Sequence, residues 1–287
     1  MNSLYRFISF PAFVNLVEKQ VERYVSPISW EDTYEGYLLR LIKKNDIKEV
    51  IKELMNTISP NNPEAALKNY VKLQSALRFS YGQCWTMLEE SDALWRIYSY
   101  DKMAVRIETD EGQIRSLLSN EKNYSINICE VKYDLAGDCK KIPFTELLAE
   151  IENTAQIIEP FFHKRKAYEH EHEKRVIIFD IFNSTLRIGF SLRVAKLNAG
   201  LKNKGKSLSR QEQTEAMLKE ISSMMSLFSP EKAPKELFFP IPNLKAYIKS
   251  VMVHPQAEEW IVSLVGTICK RTGLCFKGKS NMYECIS

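Results

Sequence analysis

Residues 168–179 read "YEHEHEKRVIIF", a charged cluster that runs directly into an apolar segment. From Glu173 onward, apolar and β-branched side chains fall on both faces, which predicts a central strand. As an extended chain, the stretch would place Glu169, Glu171, Glu173 and Arg175 on one face. For its first five residues a solvated helix is the alternative, with Glu169 and Glu173 as i, i+4 neighbours. If the stretch is extended, its polar end lies at the rim of a covered sheet, where clefts form; if it is helical, these side chains form a solvated surface.

Short apolar segments alternate irregularly with helical patterns along the rest of the chain. Ser9 can cap one helix with Pro11 in its first turn, and Gly273 ends the last helix. This order predicts an α+β fold, a curved mixed sheet with surrounding helices, as a single elaborated domain over 1–287. A closing strand is expected at 281–286. The other predicted strands lie in "SLYRF" (3–7), "VERYV" (21–25), "RFSYGQCW" (78–85), "KMAVRIET" (102–109), "YSINICEVKY" (124–133) and "LKAYIKSVMVHP" (244–255).

One segment, 183–235, has the character of an insertion into this domain. Its part from 197 to 210, "LNAGLKNKGKSLSR", is small, polar and basic, which predicts a mobile loop. Ser209 is followed three residues later by Glu212, the pattern of a capping box that begins a helix.

Composition and charge exclude several classes of protein. The 287 residues carry 40 basic and 36 acidic side chains, a net charge of +4, which does not favour a nucleic-acid partner. No apolar run is long enough to span a membrane, and the first residues lack a signal-peptide pattern. The six cysteines form no C-x-x-C pair, so we expect reduced thiols in a cytoplasmic protein.

Motifs for metals and common cofactors are missing from the sequence. His170 and His172 would share one face of a strand, but no H-E-x-x-H or paired cysteines accompany them. There is also no G-x-x-x-x-G-K-[ST], G-x-G-x-x-G or G-x-S-x-G. We therefore predict no metal site and no resident cofactor.

Two further stretches bring together side chains suited to a nucleotide. In "CWTMLEESDALWRIYS" (84–99), Trp85, Trp95 and Tyr98 lie near Glu89 and Glu90. Aromatic rings beside carboxylates can stack on a base and bind ribose hydroxyls. The alternative is that Trp95 and Tyr98 form the core face of a short helix.

The second stretch combines "LYRF" (4–7) with "SPISWEDTYEG" (26–36). An arginine on a buried strand needs an anionic partner. Arg6 would either pair with Glu171 or Glu173 in the interior, or bind a phosphate. The predicted ligand-binding residues are Tyr5, Trp30, Glu35, Trp85, Glu90, Trp95, Tyr98 and Arg175, and the predicted catalytic residues are Arg6, Glu171 and Glu173.

The order and spacing of five motifs resemble a bacterial family catalogued as domain of unknown function 2971. They are "LYRF", "SPISWEDTYEG", "CWTMLEESDALWRIYS", "KRKAYEHEHEKRVI" and "VMVHPQAEEWIVSLVGTICKRTGL". The resemblance covers nearly the whole chain except 183–235. It implies a fold and very little chemistry.

The order of parts is also similar, more weakly, to ADP-ribosyltransferase-like proteins. That resemblance implies NAD as a substrate, with Arg6 on its phosphates or ribose. It implies that Glu171 or Glu173 binds the nicotinamide ribose and stabilises the transition state, and that an aromatic residue of 85–98 stacks on nicotinamide. An S-T-S strand between these motifs is missing, and which glutamate acts stays open.

Three hypotheses follow for function. The first is an ADP-ribosyltransferase-like or NAD-hydrolysing bacterial effector, with a role in phage defence. The second is a non-catalytic module that senses a nucleotide-like small molecule or binds a protein target. In the third, Arg6 and the glutamates form a structural ion network.

Overall fold

The computed structural model describes five continuous segments and a set of isolated positions. The segments are 3–32, 34–37, 78–135, 158–181 and 234–284, with isolated positions between 40 and 76 and between 189 and 219. The predicted insertion and its basic loop therefore lie almost entirely outside the described residues. Within it, the Glu212 N–H donates to Ser209 Oγ at 3.3 Å and the Ser209 N–H donates to the Glu212 carboxylate at 2.7 Å, which confirms the capping box.

The described residues form a mixed α+β fold, as predicted. A nine-stranded sheet has the order β11-β10-β4-β1-β3-β2-β9, and β8 and β5 extend it from β3; β6 and β7 form a separate parallel pair. The strands are β1 Ser3–Ile8, β2 Val21–Val25, β3 Ser80–Thr86, β4 Val105–Asp110, β5 Tyr124–Glu130, β6 Lys132–Leu135, β7 His163–Arg165, β8 Glu173–Asp180, β9 Glu236–Pro240, β10 Ser250–Val253 and β11 Phe276–Lys279. The α-helices that lie wholly within the continuous described segments are α1 Phe10–Lys19, α2 Asp92–Tyr98, α3 Glu111–Leu118, α4 Leu244–Tyr247 and α5 Glu259–Thr272.

The charged stretch divides into a short helix and the beginning of a strand. Residues Lys166–Glu171 form a short 3-10 helix, and His172 adopts a left-handed conformation with φ 42°. Strand β8 then begins at Glu173 and is paired on both sides, by β3 and by β5. The prediction of a central strand is confirmed, and of the two alternatives for its first residues the helical one is nearer to the structure.

Strands β1 and β2 pair with the same edge of β3 at two separate positions. Both are antiparallel to β3, but β1 pairs with it at Tyr5↔Thr86 and β2 at Val25↔Gly82. Helix α1 joins the two strands, and Ser9 caps it as predicted. The edge of β3 between Gly82 and Thr86 is therefore paired with neither strand. We call this gap the β1/β2 fork.

The pairing register assigns the side chains around the fork to two faces, because directly opposed residues share a face. Trp85 and Gln83 point toward the main hydrophobic core, which includes residues of α1, α3 and α5. We call this the core face. Thr86, Cys84 and Glu173 lie on the opposite face, which we call the site face.

In the carboxyl-terminal part of the chain, the structure differs from two predicted strands, 244–255 and 281–286. Only Ser250–Val253 of the predicted strand 244–255 is extended, because Asn243 caps the short helix α4. Helix α5 ends at Gly273 as predicted, with φ 69°. The strand that follows it is β11, Phe276–Lys279. Residues 281–284 form a turn instead of the first part of the expected strand 281–286, and its last two residues lie outside the described residues. Among the described helices, none combines the length and the apolar character needed to cross a membrane.

Candidate functional site

A cavity of about 470 Å³ lies at the β1/β2 fork. Its walls come from β1, β2 and β3, from one side of α1, and from the end of α2. Because β3 is unpaired between Gly82 and Thr86, the cavity meets side chains of both sheet faces. Seven of the predicted site residues line it: Tyr5, Arg6, Trp30, Trp85, Tyr98, Glu171 and Glu173.

The other four predicted residues do not line this cavity. Arg175 and Glu35 are buried behind Glu173. Trp95 packs edge-on against Phe7 at 4.6 Å, and its indole N–H donates to Glu90 at 3.2 Å. For Trp95, the structure favours the alternative of a core residue on a short helix.

Arg6 is bound by Glu22, and neither Glu171 nor Glu173 is its partner. Its Nη2 lies 2.9 and 3.1 Å from the two carboxylate oxygens of Glu22, and its guanidinium lies over the ring of Trp85 at 4.6 Å. Burial disfavours the charged form, but Glu22 outweighs it and raises the pKa of Arg6. Among the described residues no group bonds the Nε of Arg6.

Glu22 is the centre of a hydrogen-bond network on the core face. Gln83 Nε2 donates to it at 2.8 Å and Tyr247 Oη at 2.9 Å. The Gln83 side chain in turn accepts the indole N–H of Trp85 at 2.7 Å. Burial together with the nearby Glu22 charge raises the pKa of Tyr247 well above its usual value, so its hydroxyl stays a donor.

On the site face, three carboxylates share two cations. Lys164 Nζ lies 2.6 Å from Glu171, 3.2 Å from Glu173 and 3.4 Å from Glu35. Burial works against the charge of Lys164, but the three carboxylates outweigh it and raise its pKa. We call Glu35, Glu171, Glu173, Lys164 and Arg175 the carboxylate cluster.

Glu173 is the most firmly held carboxylate of this cluster. Arg175 donates to its two oxygens from Nε at 2.7 Å and from Nη2 at 2.9 Å. Burial alone would raise the pKa of Glu173, but Arg175 and Lys164 lower it to about 2. Cys84 lies on the same face next to Glu173, and burial and this carboxylate raise the pKa of Cys84.

Glu171 is positioned differently from Glu173. It precedes β8, at the end of the 3-10 helix, and its side chain is 15% exposed against 3% for Glu173. Its backbone carbonyl accepts the Thr86 hydroxyl at 2.7 Å, which ties this turn to β3. Both predicted glutamates line the cavity, and Glu171 is the more exposed of the two.

Sequence reasoning did not identify Glu22, Gln83, Lys164 or Cys84 as members of this region. Glu22 had a usable signal, since the alternation of side chains along the strand "VERYV" puts it on the same face as Tyr24, which is buried. Lys164 belongs to the basic run "HKRK", and nothing in the neighbouring sequence distinguishes a buried lysine from an exposed one there. Within the described part of the chain, no group of three or more His, Cys, Asp or Glu side chains is arranged to hold a metal ion.

Comparisons of this chain with protein-family models, curated proteins and solved structures found no match. The resemblance to the family of domain of unknown function 2971 therefore stays a prediction from the motifs.

Proposed function

We propose that this protein binds NAD at the β1/β2 fork and acts as an ADP-ribosyltransferase-like enzyme or NAD hydrolase. One observation carries the proposal: Arg6, Tyr98 and Glu171, a cation, an aromatic ring and a carboxylate, line one cavity. A volume of about 470 Å³ lies within the usual range of small-ligand sites, roughly 300–1,000 Å³.

Arg6 is assigned to the phosphates. Glu22 bonds its Nη2, so the guanidinium is oriented, and the Arg6 side chain is 15% exposed and lines the cavity. A pre-oriented guanidinium suits a phosphate oxygen. Because Glu22 already balances the charge of Arg6, the guanidinium contributes more to the orientation of a bound phosphate than to its net electrostatic attraction.

The stacking role is assigned to Tyr98. Trp85 is buried beneath the Arg6 guanidinium, so its ring faces are occupied. Tyr98 lines the cavity and is 47% exposed, which leaves its ring available to a base or a nicotinamide.

Glu171 is assigned as the acting carboxylate. Cleavage breaks the bond between the ribose C1′ and the nicotinamide nitrogen, and the bond's electron pair stays on that nitrogen. Water or a target nucleophile then bonds to C1′ and gives up its proton. A carboxylate near C1′ stabilises the positive charge that develops there. Glu173 is committed to Arg175, so this role falls to Glu171.

The alternative function is binding of a nucleotide-like ligand without turnover. The observation in its favour is that each lining carboxylate, Glu22, Glu171 and Glu173, already has a cationic partner. A role as a bacterial effector in phage defence rests on the resemblance alone.

The test combines a thermal shift with an assay of nicotinamide release, using NAD and the purified chain. We expect NAD to raise the melting temperature of the parent protein. We expect Glu171→Gln to lower the release rate on the order of 10²–10³-fold. Glu169→Gln is the matched control, because Glu169 is an exposed carboxylate of the same turn.

Each outcome separates the candidates. Stabilisation by NAD without release, retained in Glu171→Gln, supports the sensing module. If NAD neither stabilises the parent protein nor reacts with it, NAD is neither its substrate nor the ligand that it senses.

A further inference from the structure

Lys164 has an unusual position for a lysine. It lies at the centre of β7, is 7% exposed, and directs its ammonium group at the carboxylate cluster. The ammonium also lies over the ring of Tyr168 at 4.7 Å. A buried lysine is tolerated only where its charge is fully paired.

The two cations of the cluster, Arg175 and Lys164, contact different sets of its carboxylates. Arg175 contacts Glu173 through two hydrogen bonds and Glu35 through one of 3.0 Å. Among the described contacts, Lys164 is the only cation on Glu171. The direction of the Glu171 carboxylate therefore depends on Lys164.

We propose that Lys164 is a positioning residue, a shared counter-ion that holds the Glu171 carboxylate toward the cavity. When a ligand engages Glu171, the Lys164 ammonium group keeps Glu173 and Glu35 as its partners. This inference rests on the proposed function for its catalytic consequence. The distances support the sharing, because Glu173 at 3.2 Å and Glu35 at 3.4 Å are close enough to retain the ammonium group. Glu171 is then freed to face a developing positive charge without stranding a buried lysine.

The kinetic test uses nicotinamide release by three proteins. We expect Lys164→Met to lower kcat on the order of 10²-fold with little change in KM, because a misdirected carboxylate affects the transition state more than ground-state binding. Lys164→Arg keeps the charge and is expected to recover part of kcat. A purely structural lysine would change the amount of folded protein and leave kcat per folded molecule unchanged.

The chain offers a matched control and a folding control. Lys132 forms an exposed pair of the same length, 2.6 Å, with Glu159, so Lys132→Met is expected to leave turnover unchanged. Lys164→Met leaves buried carboxylates short of a cation, whereas the double variant Lys164→Met/Glu171→Gln removes one charge of each sign. A folded double variant shows that the lysine position tolerates methionine.

A second measurement does not depend on any activity. In protein labelled with ¹⁵N-lysine, three nearby carboxylates slow the exchange of the Lys164 ammonium protons, so its NMR signal is expected in the parent and in Glu171→Gln. The signal is assigned by its loss from the double variant. A Glu171→Gln protein without the signal would overturn the sharing.

The outcomes separate this inference from the proposed function. Turnover in the parent with an unchanged kcat in folded Lys164→Met overturns the role of Lys164 and leaves the NAD proposal standing. A parent without turnover overturns the NAD proposal, and the NMR signal of Glu171→Gln then decides whether Lys164 is shared.

Discussion

Arg6 and Glu22, on the two strands that separate at the fork, are joined across it by a forked ion pair. The Nη2 of Arg6 donates to both oxygens of Glu22, at 2.9 and 3.1 Å, and Glu22 is only 2% exposed. An ion pair between two residues of the cavity lining, and no backbone ladder, thus links β1 to β2. This pair both holds β1 and β2 at their separation and orients the guanidinium.

Glu22→Gln is expected to destabilise the protein by about 3–5 kcal/mol, because the change leaves Arg6 buried without its anionic partner. The measurement is the free energy of unfolding in urea. The matched control is Glu236→Gln, which breaks the exposed pair with neighbouring Arg23 and should cost less than about 1 kcal/mol. Equal losses in the two variants would show that the Arg6–Glu22 pair does not stabilise the fork.

Gly82→Ala is expected to disturb the wall of the cavity. A Cβ at Gly82 would lie 2.8 Å from the Cη2 of Trp30 and 3.0 Å from the Cδ1 of Ile177, so the Trp30 ring must move. Overpacking of this kind costs about 1–3 kcal/mol. Thermal unfolding and tryptophan fluorescence would detect the change. Gly200→Ala is the control, since no described atom lies within 4 Å of its Cβ position; a melting temperature equal in the two variants would refute the clash.

The sequence predicted the elements whose signals are local. The apolar run from Val176 to Ile178 identified a central strand, and the Ser9 cap identified the start of α1. The fork and its ion pair were not predictable, because the pairing of β3 with two separate strands is a long-range property. The orientation of α2 was missed for a related reason: seven residues make two turns, too few to show whether Trp95 or Tyr98 faces the cavity.

Stability is expected to fall in acid through Glu173. Its pKa of about 2 in the folded protein lies below the ordinary value of 4.5 because Arg175 and Lys164 outweigh the effect of burial. The stabilisation is therefore complete above pH 4.5 and is lost as the pH falls toward 2, an effect of about 3 kcal/mol. Urea unfolding of the parent and of Glu173→Gln over this range would measure it. A pH dependence as steep in Glu173→Gln as in the parent would contradict this assignment, and Glu169→Gln is the exposed control.

Cys84 is expected to react slowly with iodoacetamide although it lines the cavity. Burial, with Glu173 next to it, raises the pKa of the Cys84 thiol, and the thiolate is the reactive form. Cys275 is exposed and serves as the internal reference. Peptide mass spectrometry after brief labelling at pH 8 should show Cys275 modified well before Cys84. Equal labelling of both would contradict a raised pKa of the Cys84 thiol.

Tyr98→Ala is expected to weaken NAD binding without a large change in stability. Tyr98 is 47% exposed at the cavity, so little packing is lost, whereas a stacked base contributes about 1–3 kcal/mol. Isothermal titration with NAD should therefore show a Kd raised roughly 5- to 150-fold. Ile97→Ala is the matched control, because Ile97 precedes Tyr98 on the same helix, is 57% exposed and does not line the cavity. If NAD binds the parent and Tyr98→Ala equally well, Tyr98 is not the stacking residue. The role would then pass to Trp30, the other partly exposed aromatic residue of the lining.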